Sequence, residues 1–515
     1  MIWRIVKDMK ALISVYEKLG IVELAVDLKA KGYELISTGG SAKAINSHED
    51  VSAIEVSEIT GFSEMLDGRV KTLHPHIHGG ILAKRNEPSH ISSLAFQGIS
   101  TIDLVAVNLY PFEKVAQDNP EDLDEIIENI DIGGPTLIRS AAKNYADVVI
   151  LVDPEDYSWV VEKLPDKLSL EDRKHLASKA FNHVAFYDSV IAKYFSDTTS
   201  EFNDHLSLPY RKAKNLRYGE NPHQQAALYS GIDFEKSPVG LGELIQYSGE
   251  ELSYSNVLDA DSAFRIVNGF EENTVAIIKH TNPCGLSSRP KQVEAYIGAY
   301  NGDPVSAYGG IVAFNKKVEE ETAEEMKGVL FDVIIAPEYE DGALEIFKKR
   351  KRARILAVNG FEENKTELRS IVGGILVQTT DSSEEKYDDW TIVSEKLPDK
   401  NQISDMEFAW KACKHVKSNS ILMVKNKSII GLGAGQPNRV NSVHLALRSA
   451  GDKANDCVLA SDAFFPFKDS IIMAAENGIS TIIQPGGSIR DEEVIDAANN
   501  CNLTMVFTGV RHFKH

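Results

Sequence analysis

The sequence places a lysine and a histidine side by side, Lys279 and His280, directly after an apolar run. That run, residues 275–278, is typical of a buried parallel strand, and the Pro and Gly within residues 281–285 indicate where the strand ends. Ligands of open α/β sheets bind beyond the carboxyl ends of strands, so both side chains would border a pocket. A neutral His280 could accept a proton there, because an adjacent ammonium disfavours imidazolium, and Lys279 could stabilise an oxyanion. The alternative is a strand end that merely carries two polar residues.

Two further stretches are suited to binding a phosphate. A Thr-Gly-Gly-Ser turn, residues 38–41, lies between a predicted strand and a predicted helix, where backbone N–H groups and the helix dipole attract anions. The same turn also occurs as a plain connection between a strand and a helix. Arg69, Lys71 and Thr72 lie within four positions of one another in a chain that is otherwise acidic, and this clustering favours a second set of phosphate contacts.

A metal site is the alternative use of a nearby histidine-rich stretch. His74, His76 and His78 alternate, so on a strand all three would face one metal ion. Pro75 and the glycines at 79–80 instead favour a loop without a shared face, and we expect no metal. The four cysteines lack CxxC spacing, which indicates neither a cysteine-built zinc site nor a disulfide framework. They are Cys284, Cys413, Cys457 and Cys501.

The predicted elements that position these residues alternate between strand and helix. With 515 residues the chain should form at least two domains, since single cores rarely grow past about 250–300 residues. Strands predicted at 11–15, 33–37, 103–109 and 147–152 favour a parallel doubly wound α/β domain at the amino-terminal end. The remaining residues, about 300, suit two similar α/β lobes. Their predicted strands are 275–279, 311–314, 333–337, 374–378, 421–425, 429–432 and 481–484.

Charge and composition narrow the classes of function. The chain has 55 Lys and Arg against 76 Asp and Glu, a formal net charge of −21. An acidic chain is a poor candidate for binding nucleic acid or an anionic membrane, although a local basic site can still hold a phosphate. No stretch approaches the roughly 18 apolar residues of a membrane helix, and residues 1–10 lack the apolar core of a signal peptide. We therefore expect a cytoplasmic protein.

A series of short motifs closely resembles those of the bifunctional AICAR transformylase/IMP cyclohydrolase family of purine biosynthesis. The motifs occur in family order from about residue 11 to the last residue, so the resemblance covers essentially the whole chain. They are DGRVKTLHP (67–75), NLYPF (108–112), ENIDIGG (128–134), AAKN (141–144), LRYGENPHQ (216–224), KH (279–280), SNS (418–420), GAGQ (433–436), SDAFFPF (461–467) and RHFKH (511–515).

The resemblance implies the last two steps of de novo IMP synthesis. Residues 206–515 would transfer a formyl group from the co-substrate 10-formyltetrahydrofolate to AICAR, giving FAICAR. Residues 1–205 would close FAICAR to IMP with loss of water. The implied fold is a methylglyoxal-synthase-like doubly wound domain followed by two cytidine-deaminase-like α/β lobes. Deaminase relatives hold zinc but this family does not, and the family is a homodimer that builds its transfer site across the interface.

The resemblance also implies the residues of the cyclohydrolase site. Substrate phosphate would be bound by Lys18, Thr38, Gly39, Gly40 and Ser41. The reacting end would be surrounded by Arg69, Lys71, Thr72, Asn108, Tyr110, Asp131 and Lys143. Tyr110, Asp131 and Lys143 would be catalytic, with Lys143 as proton donor or acceptor, because a lysine beside a carboxylate can shuttle protons. The pair Tyr16-Glu17 departs from the family, which commonly has a small Ser before the acid.

In the transferase part, the resemblance assigns His280 as the general base and Lys279 as the cation that stabilises the transition state. The nucleotide would be contacted by Arg217, Tyr218, Asn419 and Arg439. The folate side and the terminal arginine that contacts substrate would be supplied by Phe464, Asp469 and Arg511.

Two other classes of function stay open at this point. A nicotinamide-dependent dehydrogenase would require G-x-G-x-x-G after the first strand, and residues 14–18 contain no such glycines. A nucleotide-binding sensor could keep the fold without turnover. The presence of Lys279, His280, Asp131 and Lys143 argues against a sensor.

Overall fold

The computed structural model describes residues 9–196, 202–232, 234, 239–361 and 366–515, apart from the side chain of Asp67. The prediction that there is no signal peptide concerns residues 1–10. Of these, residues 1–8 lie outside the described residues. Two compact units are present. The amino-terminal unit comprises Met1–Arg211 with Gly231–Ser237, and the carboxy-terminal unit comprises Lys212–Ser230 with Pro238–His515. Across the described ranges, the search for a helix long and apolar enough to cross a membrane finds none.

The amino-terminal unit is built on a five-stranded parallel sheet in the order β3-β2-β1-β4-β5. Its strands are β1 (Met9–Ser14), β2 (Tyr33–Ser37), β3 (Ile54–Glu55), β4 (Leu104–Val107) and β5 (Val149–Leu151). Its helices are α1 (Ile21–Ala30), α2 (Gly39–Asn46), α3 (Val56–Thr60), α4 (Pro75–Leu82), α5 (Pro88–Phe96), α6 (Phe112–Asp118), α7 (Leu123–Glu128), α8 (Gly133–Lys143), α9 (Tyr157–Lys163) and α10 (Leu170–Phe195). The doubly wound α/β fold predicted for this part is confirmed.

The central strands of this sheet are covered on both faces, as parallel strands require. Residues 11–13 of β1 are fully buried, and all four residues of β4 are buried. The short strand β3 was not predicted, because two residues are too few to show a periodic pattern. Because the side chains of β1 and β4 are buried, polar side chains that contact a ligand can lie only at the ends of these strands.

The carboxy-terminal unit contains two six-stranded mixed sheets, one in each of two lobes, and two isolated hairpins. The first lobe has β8 (Ile245–Ser248), β9 (Asn273–Lys279), β10 (Asn282–Arg289), β11 (Gly310–Phe314), β12 (Phe331–Ala336), β13 (Arg354–Ala357), α11 (Tyr254–Asn268), α12 (Gln292–Tyr300), α13 (Pro304–Ala307), α14 (Glu320–Glu325) and α15 (Asp341–Lys348). The second has β16 (Thr391–Ile392), β17 (Ile421–Val424), β18 (Ile429–Gly433), β19 (Val458–Ser461), β20 (Thr481–Gln484), β21 (Thr504–Phe507), α16 (Lys400–Cys413), α17 (Arg439–Ala450), α18 (Asp469–Glu476) and α19 (Asp491–Asn500). The hairpins are β6 (Tyr210–Leu216) with β7 (Ala226–Gly231), and β14 (Thr366–Ile371) with β15 (Gly374–Thr379).

The two lobes repeat one topology, which confirms the prediction of two similar lobes. Their strand orders are β10-β9-β11-β12-β13-β8 and β18-β17-β19-β20-β21-β16, and corresponding pairs run in the same relative directions. The repeat is visible in the sequence once the offset is known: NTVAIIK at 273–279 aligns with NSILMVK at 419–425. Few residues are identical between the copies, so no tandem repeat is obvious from the sequence alone.

The predicted direction of the strand before His280 is wrong. The strand exists as β9, but it pairs antiparallel with both of its neighbours, β10 and β11. The Pro and Gly after His280 belong to β10, which has an irregular register between Pro283 and Gly285. A strand buried on both faces has the same apolar sequence whether its neighbours run parallel or antiparallel, so the residues did not determine the direction. The predicted strand 374–378 also differs in setting, because β15 is the second arm of an exposed hairpin.

In both lobes a glycine lets a strand approach a helix closely, and this generates a prediction. A Cβ on Gly285 would lie 2.0 Å from the carbonyl oxygen of Ala299, and one on Gly431 would lie 2.4 Å from that of Ala446. We expect Gly285→Ala and Gly431→Ala each to lower the free energy of unfolding by about 1–3 kcal/mol, because backbone must move to admit the methyl group. Urea denaturation of the full chain measures the change.

A matched control for these variants is Gly269→Ala. The nearest atom to its added carbon is 3.5 Å away, an ordinary contact, so stability should stay near that of the unmodified chain. If all three variants had the same free energy of unfolding, the close approach of strand and helix would not contribute to stability, and the prediction would be wrong.

Candidate active sites

A cavity of about 700 Å³ lies in the amino-terminal unit, at the carboxyl ends of β1, β2 and β4. This is where open α/β sheets bind ligands, and the volume suits a small molecule. Its wall contains every residue predicted for the cyclohydrolase substrate except Lys143. These wall residues are Lys18, Thr38, Gly39, Gly40, Ser41, Arg69, Lys71, Thr72, Asn108, Tyr110 and Asp131.

One end of the cavity is formed by the start of α2. Thr38 precedes the helix in an extended conformation, and its hydroxyl lies 2.9 Å from the hydroxyl of Ser14. Ser41 Oγ donates to the carbonyl oxygen of Val15 (2.8 Å) and accepts from the N–H of Val15 (3.1 Å). These bonds fix the glycine turn against the end of β1. The free N–H groups of the first helical turn therefore line the cavity and favour an anion.

Lys18 adds a positive charge at the same end. Its ammonium donates to the carbonyl oxygen of Tyr16 (2.9 Å), to that of Val15, and to Ser41 Oγ (3.3 Å). Burial and then the nearby charge of Lys71 lower the pKa of Lys18. Two cations in one cavity repel each other, so a bound phosphate would relieve this repulsion.

Asn108 holds the loop that carries Lys18. Its Oδ1 accepts from the N–H groups of Tyr16 (2.5 Å) and Glu17 (3.2 Å), and its Nδ2 donates to the carbonyl oxygen of Glu17 (2.9 Å). The ring of Tyr16 meets Tyr110 edge-on, with centroids 5.6 Å apart. At the position that departs from the family, Tyr16 thus contributes backbone and ring contacts to the cavity wall.

Asp131 lies at the other end of the cavity. Its Oδ1 accepts from the N–H of Gly134 (2.7 Å), and its Oδ2 faces the N–H of Tyr110 (3.4 Å). Burial raises the pKa of Asp131, and neither the backbone N–H groups nor the charge of Lys71 fully offsets this rise. A carboxyl group with a raised pKa is a stronger base when ionised, which suits it to accept a proton.

Tyr187 supports Asp131 and was not predicted. Its hydroxyl accepts from the N–H of Asp131 (2.9 Å) and donates to the carbonyl oxygen of Asn129 (3.1 Å). It lies on α10, which contains none of the motifs found in the sequence. No local signal could identify it, because its partners are 56 and 58 residues away in the chain.

The two other cations of the cavity have carboxylate partners. Lys71 pairs with Glu64 at 2.5 Å, and Arg69 forms a bidentate pair with Glu128, with Nε to Oε1 at 3.1 Å. Both pairs are partly exposed, so each contributes little to stability and can be exchanged for a ligand. Neither glutamate was predicted as a partner, because pairing depends on the tertiary structure.

Lys143 is not brought to this cavity. It is the last residue of α8, whereas Gly133 and Gly134, at the start of the same helix, are in the wall. Ten residues of helix separate the ends by about 15 Å. The lysine whose charge acts on Asp131 is Lys71. The catalytic role of Lys143 stays a prediction from the resemblance.

The metal alternative required His74, His76 and His78 to lie on one face of a strand. This arrangement is wrong, because the three histidines lie at the start of a helix, α4. His74 is the N-cap of α4, and its Nδ1 accepts from the N–H of His76 (3.1 Å). The ring of His76 bonds to the carbonyl oxygen of Ile59, and that of His78 bonds to Ser140. The loop that Pro75 and the glycines at 79–80 predicted is a helix instead. Pro75 is the first residue of α4, a position at which proline is well accommodated. Within the described residues, no group of three His, Cys, Asp or Glu could hold a metal ion.

In the carboxy-terminal unit, Lys279 and His280 lie at a tight turn between β9 and β10. His280 and Thr281 have φ values of 56° and 63°, as the two central residues of a type I′ turn require. The ammonium of Lys279 donates to the carbonyl oxygen of Tyr308 at 2.8 Å, and His280 is exposed. Both residues border a cavity of about 240 Å³ whose wall is shared by the two lobes. The other wall residues are Asn282, Cys284, Gly302, Asp303, Ser306, Ile429, Gly431, Leu432 and Ser449.

A buried ion pair positions Asn419 beside this turn. Asn282, two residues after His280, accepts from the N–H of Lys417 at 3.3 Å. Asn419 Oδ1 accepts from Arg439 at 2.7 Å, and Arg439 also pairs with Asp462, which is fully buried. Only 7 % of Arg439 is exposed, so in this chain it orients Asn419 and its guanidinium faces the protein interior.

The remaining residues predicted for the transferase have contacts outside the wall of the 240 Å³ cavity. Arg217 pairs with Glu250 at 3.0 Å and lies over the ring of Tyr218, Phe464 is partly exposed, Asp469 begins α18, and Arg511 lies over the ring of Phe513. Among the described residues, none of the seven predicted for nucleotide or folate lines the 240 Å³ cavity. Those seven are Arg217, Tyr218, Asn419, Arg439, Phe464, Asp469 and Arg511.

His512 was not predicted, but it attaches the carboxy-terminal tail. Its Nδ1 lies 2.6 Å from Asp381 and its Nε2 lies 3.1 Å from Glu385, and 2 % of the residue is exposed. Its backbone N–H donates to the carbonyl oxygen of Asp462 at 3.1 Å. Burial alone would lower the pKa of His512, but the hydrogen bonds and charges of Asp381 and Glu385 outweigh burial and raise it. The adjacent Arg511 is held in place by this attachment.

Comparison with known proteins links both units to one group. A family model described as "AICARFT/IMPCHase bienzyme" matches residues 141–449, and one described as "MGS-like domain" matches residues 20–136. Relatives named "Bifunctional purine biosynthesis protein PurH" include that of Aquifex aeolicus, 48 % identical over 98 % of this chain and 100 % of that protein. Those of Caldicellulosiruptor saccharolyticus and Streptococcus pneumoniae are each 47 % identical over 98 % of this chain and 99 % of theirs. A solved structure titled "Crystal structure of ForH" is 34 % identical, covers 37 % of this chain and 100 % of its own, and has a TM-score of 0.33.

The attachment of His512 predicts a pH-dependent stability. Both ring nitrogens face carboxylates, and only imidazolium can donate to both. Because the pKa of His512 is raised, its contribution is fully present below the ordinary pKa of 6.5 and is lost as pH rises through the raised value. We expect His512→Gln to cost about 1.5–3 kcal/mol at pH 6 and less at pH 9, measured by urea denaturation.

The control is His444→Gln, which changes an exposed histidine of the same unit. It should leave the free energy of unfolding nearly unchanged at both pH values. A cost for His512→Gln that is the same at pH 6 and pH 9 would show that a neutral ring makes the attachment.

Proposed function

The chain belongs to the AICARFT/IMPCHase bienzyme family, and we propose that its two units divide the two reactions of that family between them. The protein is a bifunctional enzyme of purine biosynthesis, an AICAR formyltransferase and IMP cyclohydrolase that catalyses the last two steps of IMP synthesis. In the proposal, residues 1–205 cyclise FAICAR and residues 206–515 transfer the formyl group. The division of the chain near residue 211 supports this assignment.

The observation that carries the cyclohydrolase proposal is the composition of the 700 Å³ cavity. It has an anion-binding end, formed by the start of α2 and Lys18, and a carboxyl group with a raised pKa at the other end, Asp131. FAICAR has the matching parts, a phosphate at one end and a carboxamide beside a formyl group at the other.

We propose that ring closure proceeds by proton transfers at this second end. The carboxamide nitrogen attacks the formyl carbon and loses a proton, for which the carboxylate of Asp131 is the acceptor, while the formyl oxygen takes a proton and becomes a hydroxyl group. This hydroxyl group then takes a second proton and leaves as water, and the nitrogen that carried the formyl group loses its proton as the C=N bond of the new ring forms. Lys71 and Tyr110 lie in the same wall as Asp131 and are the proposed donors, while Lys143 is the donor that the resemblance predicts.

For formyl transfer we propose 10-formyltetrahydrofolate as the donor. The 5-amino nitrogen of AICAR attacks the formyl carbon and His280 accepts the proton that this nitrogen loses. The bond between the formyl carbon and the folate nitrogen then breaks, and that nitrogen takes up a proton as it leaves, which returns the proton balance to its starting point. Lys279 stabilises the oxyanion. Its ammonium has three N–H donors and uses one on Tyr308, so two remain for the substrate. Phe464 and Asp469 are the proposed folate contacts. Arg217, Tyr218, Asn419 and Arg511 are the proposed nucleotide contacts, and Arg439 is proposed to act on the nucleotide through Asn419, which it orients.

A homodimer completes this proposal. The nucleotide and folate residues lie outside the wall of the 240 Å³ cavity that holds Lys279 and His280 in one chain, which supports a transfer site that a second copy completes. We also propose a cytoplasmic location, which the four free cysteines favour. The proposed partners are AICAR, FAICAR, IMP and folate, without nucleic acid or membrane and without a catalytic metal.

Paired variants test the assignment of the two sites. We expect His280→Ala to lower formyl transfer by about 10²–10⁴-fold, because a positioned general base is lost, while cyclisation of supplied FAICAR is unchanged. Asp131→Ala should have the opposite pattern. Formyl transfer is measured as tetrahydrofolate released from 10-formyltetrahydrofolate in the presence of AICAR, and cyclisation as IMP formed from FAICAR alone, so the two reactions are measured separately.

Each variant is the other's control, because both are single changes in one chain. Loss of both reactions in either variant would contradict separate sites. Binding of nucleotide without turnover in the unmodified protein would favour a sensor instead.

A truncated chain tests the division into units. The main core of the amino-terminal unit lies within residues 11–184, so residues 1–205 should fold and cyclise FAICAR without the rest. Residues 1–237 should melt at a higher temperature, because Ile232 and Phe234 pack against Phe112 and Val190 in a second cluster. Thermal melting and cyclisation rates of both fragments measure this. An inactive fragment beside an active full-length chain would argue against separable domains.

A further inference from the structure

The two lobes share a device that holds the turn between their first two strands. In the first lobe, Asp259 is the sixth residue of α11, and in the second, Asp405 is the sixth residue of α16. Each aspartate is followed, 21 residues later, by the first residue of a two-residue turn, His280 and Asn426 respectively. The same spacing in both copies shows that helix, strand and turn were duplicated as one unit.

The contacts of the two aspartates correspond closely. Asp259 Oδ1 accepts from the N–H of Thr281 at 2.7 Å, and its carboxylate also faces the N–H of His280. Asp405 accepts from the N–H groups of Asn426 at 2.8 Å and Lys427 at 2.6 Å. In each lobe one carboxylate therefore binds both N–H groups of a turn whose two residues have positive φ.

The lysines before the two turns also correspond. Lys279 donates to the carbonyl oxygen of Tyr308 at 2.8 Å, and Lys425 donates to that of Asn455 at 2.7 Å. Backbone, carboxylate and lysine are thus the same in both lobes. What distinguishes the first turn is the histidine, which stands where the second turn has Asn426.

The first turn depends more strongly on its aspartate than the second does. Asparagine enters the left-handed region readily, whereas for a β-branched residue such as Thr281 a positive φ is unfavourable. A turn of His and Thr thus needs an external partner for its N–H groups. Asp259 is that partner. Because it fixes the backbone of the turn, it also fixes the position from which the side chain of His280 extends.

We propose that Asp259 is a positioning residue for formyl transfer, which holds the turn so that His280 is presented to the reacting amine. This inference rests on the proposed role of His280 as general base. Asp259 is not itself the base, because its carboxylate is occupied by the turn and is not part of the wall of the 240 Å³ cavity. A residue that acts through His280 should affect the rate of transfer and leave the binding of AICAR intact.

The test compares Asp259→Asn with its matched control, Asp405→Asn, in the full-length protein. The amide keeps one acceptor oxygen but turns an N–H donor toward the other N–H of the turn. We expect Asp259→Asn to lower kcat of formyl transfer by about 10–100-fold with KM for AICAR within twofold, as for loss of geometry at a general base. Asp405→Asn should keep kcat within twofold. Melting temperature and the stoichiometry of AICAR binding report the folded fraction, and Asp259→Ser, which also keeps one acceptor, replaces the amide if that variant does not fold.

The decisive readout is the double variant His280→Ala/Asp259→Asn. If Asp259 acts only through His280, the second change should cost nothing beyond the loss caused by His280→Ala. A further loss in the double variant, or equal losses for Asp259→Asn and Asp405→Asn, would show that the aspartate supports the fold in general, and the inference would be wrong.

The two proposals fail in distinguishable ways. An inactive His280→Ala with a fully active Asp259→Asn overturns the positioning role and leaves the general base in place. A fully active His280→Ala overturns the proposed base, and the positioning inference is lost with it.

Discussion

Burial of the central strands is the constraint on which both candidate sites depend. Almost no surface is exposed to solvent at residues 11–13 of β1, along the whole of β4, and at residues 275–278 of β9. An unpaired polar side chain within such a strand would lose its hydration without compensation. Functional groups are therefore found at the ends of these strands or just beyond them, at residues 14–18, at Asn108 and at Lys279 and His280.

Groups at a strand end still need fixed positions, and in this protein carboxylates that are half or fully buried provide them. Asp131 binds the start of α8, Asp259 binds the turn that carries His280, and Asp462 holds Arg439 and through it Asn419. A carboxylate that is removed from solvent is costly unless its oxygens are satisfied, so each of these residues selects one arrangement of N–H donors around it. A buried ion pair such as that of Arg439 and Asp462 is thus better understood as specifying geometry than as adding stability.

Duplication explains why the carboxy-terminal unit has one turn with a histidine and one without. Both lobes keep the same sheet order, the same close approach of strand and helix at Gly285 and Gly431, and the same aspartate at the turn. These features are packing requirements, and each copy must meet them to fold. The residue at the tip of the turn is exposed and free of that requirement. One copy could therefore carry His280 while the other kept Asn426.

The sequence by itself determined four of the five strands of the amino-terminal sheet, six of the twelve strands of the two lobes, the glycine turn at 38–41 and the motifs of the family, because each is a pattern within a few adjacent residues. Tertiary structure alone decided the antiparallel direction of β9, the helical setting of His74, His76 and His78, and the distance of Lys143 from the cavity. It also supplied the partners that no pattern marked: Glu64, Glu128, Tyr187, Asp259 and His512. Apolar periodicity is a local property of the chain. Strand direction, ion pairing and the neighbours of a buried group depend on contacts between residues far apart in sequence, and many pairings satisfy the same local pattern.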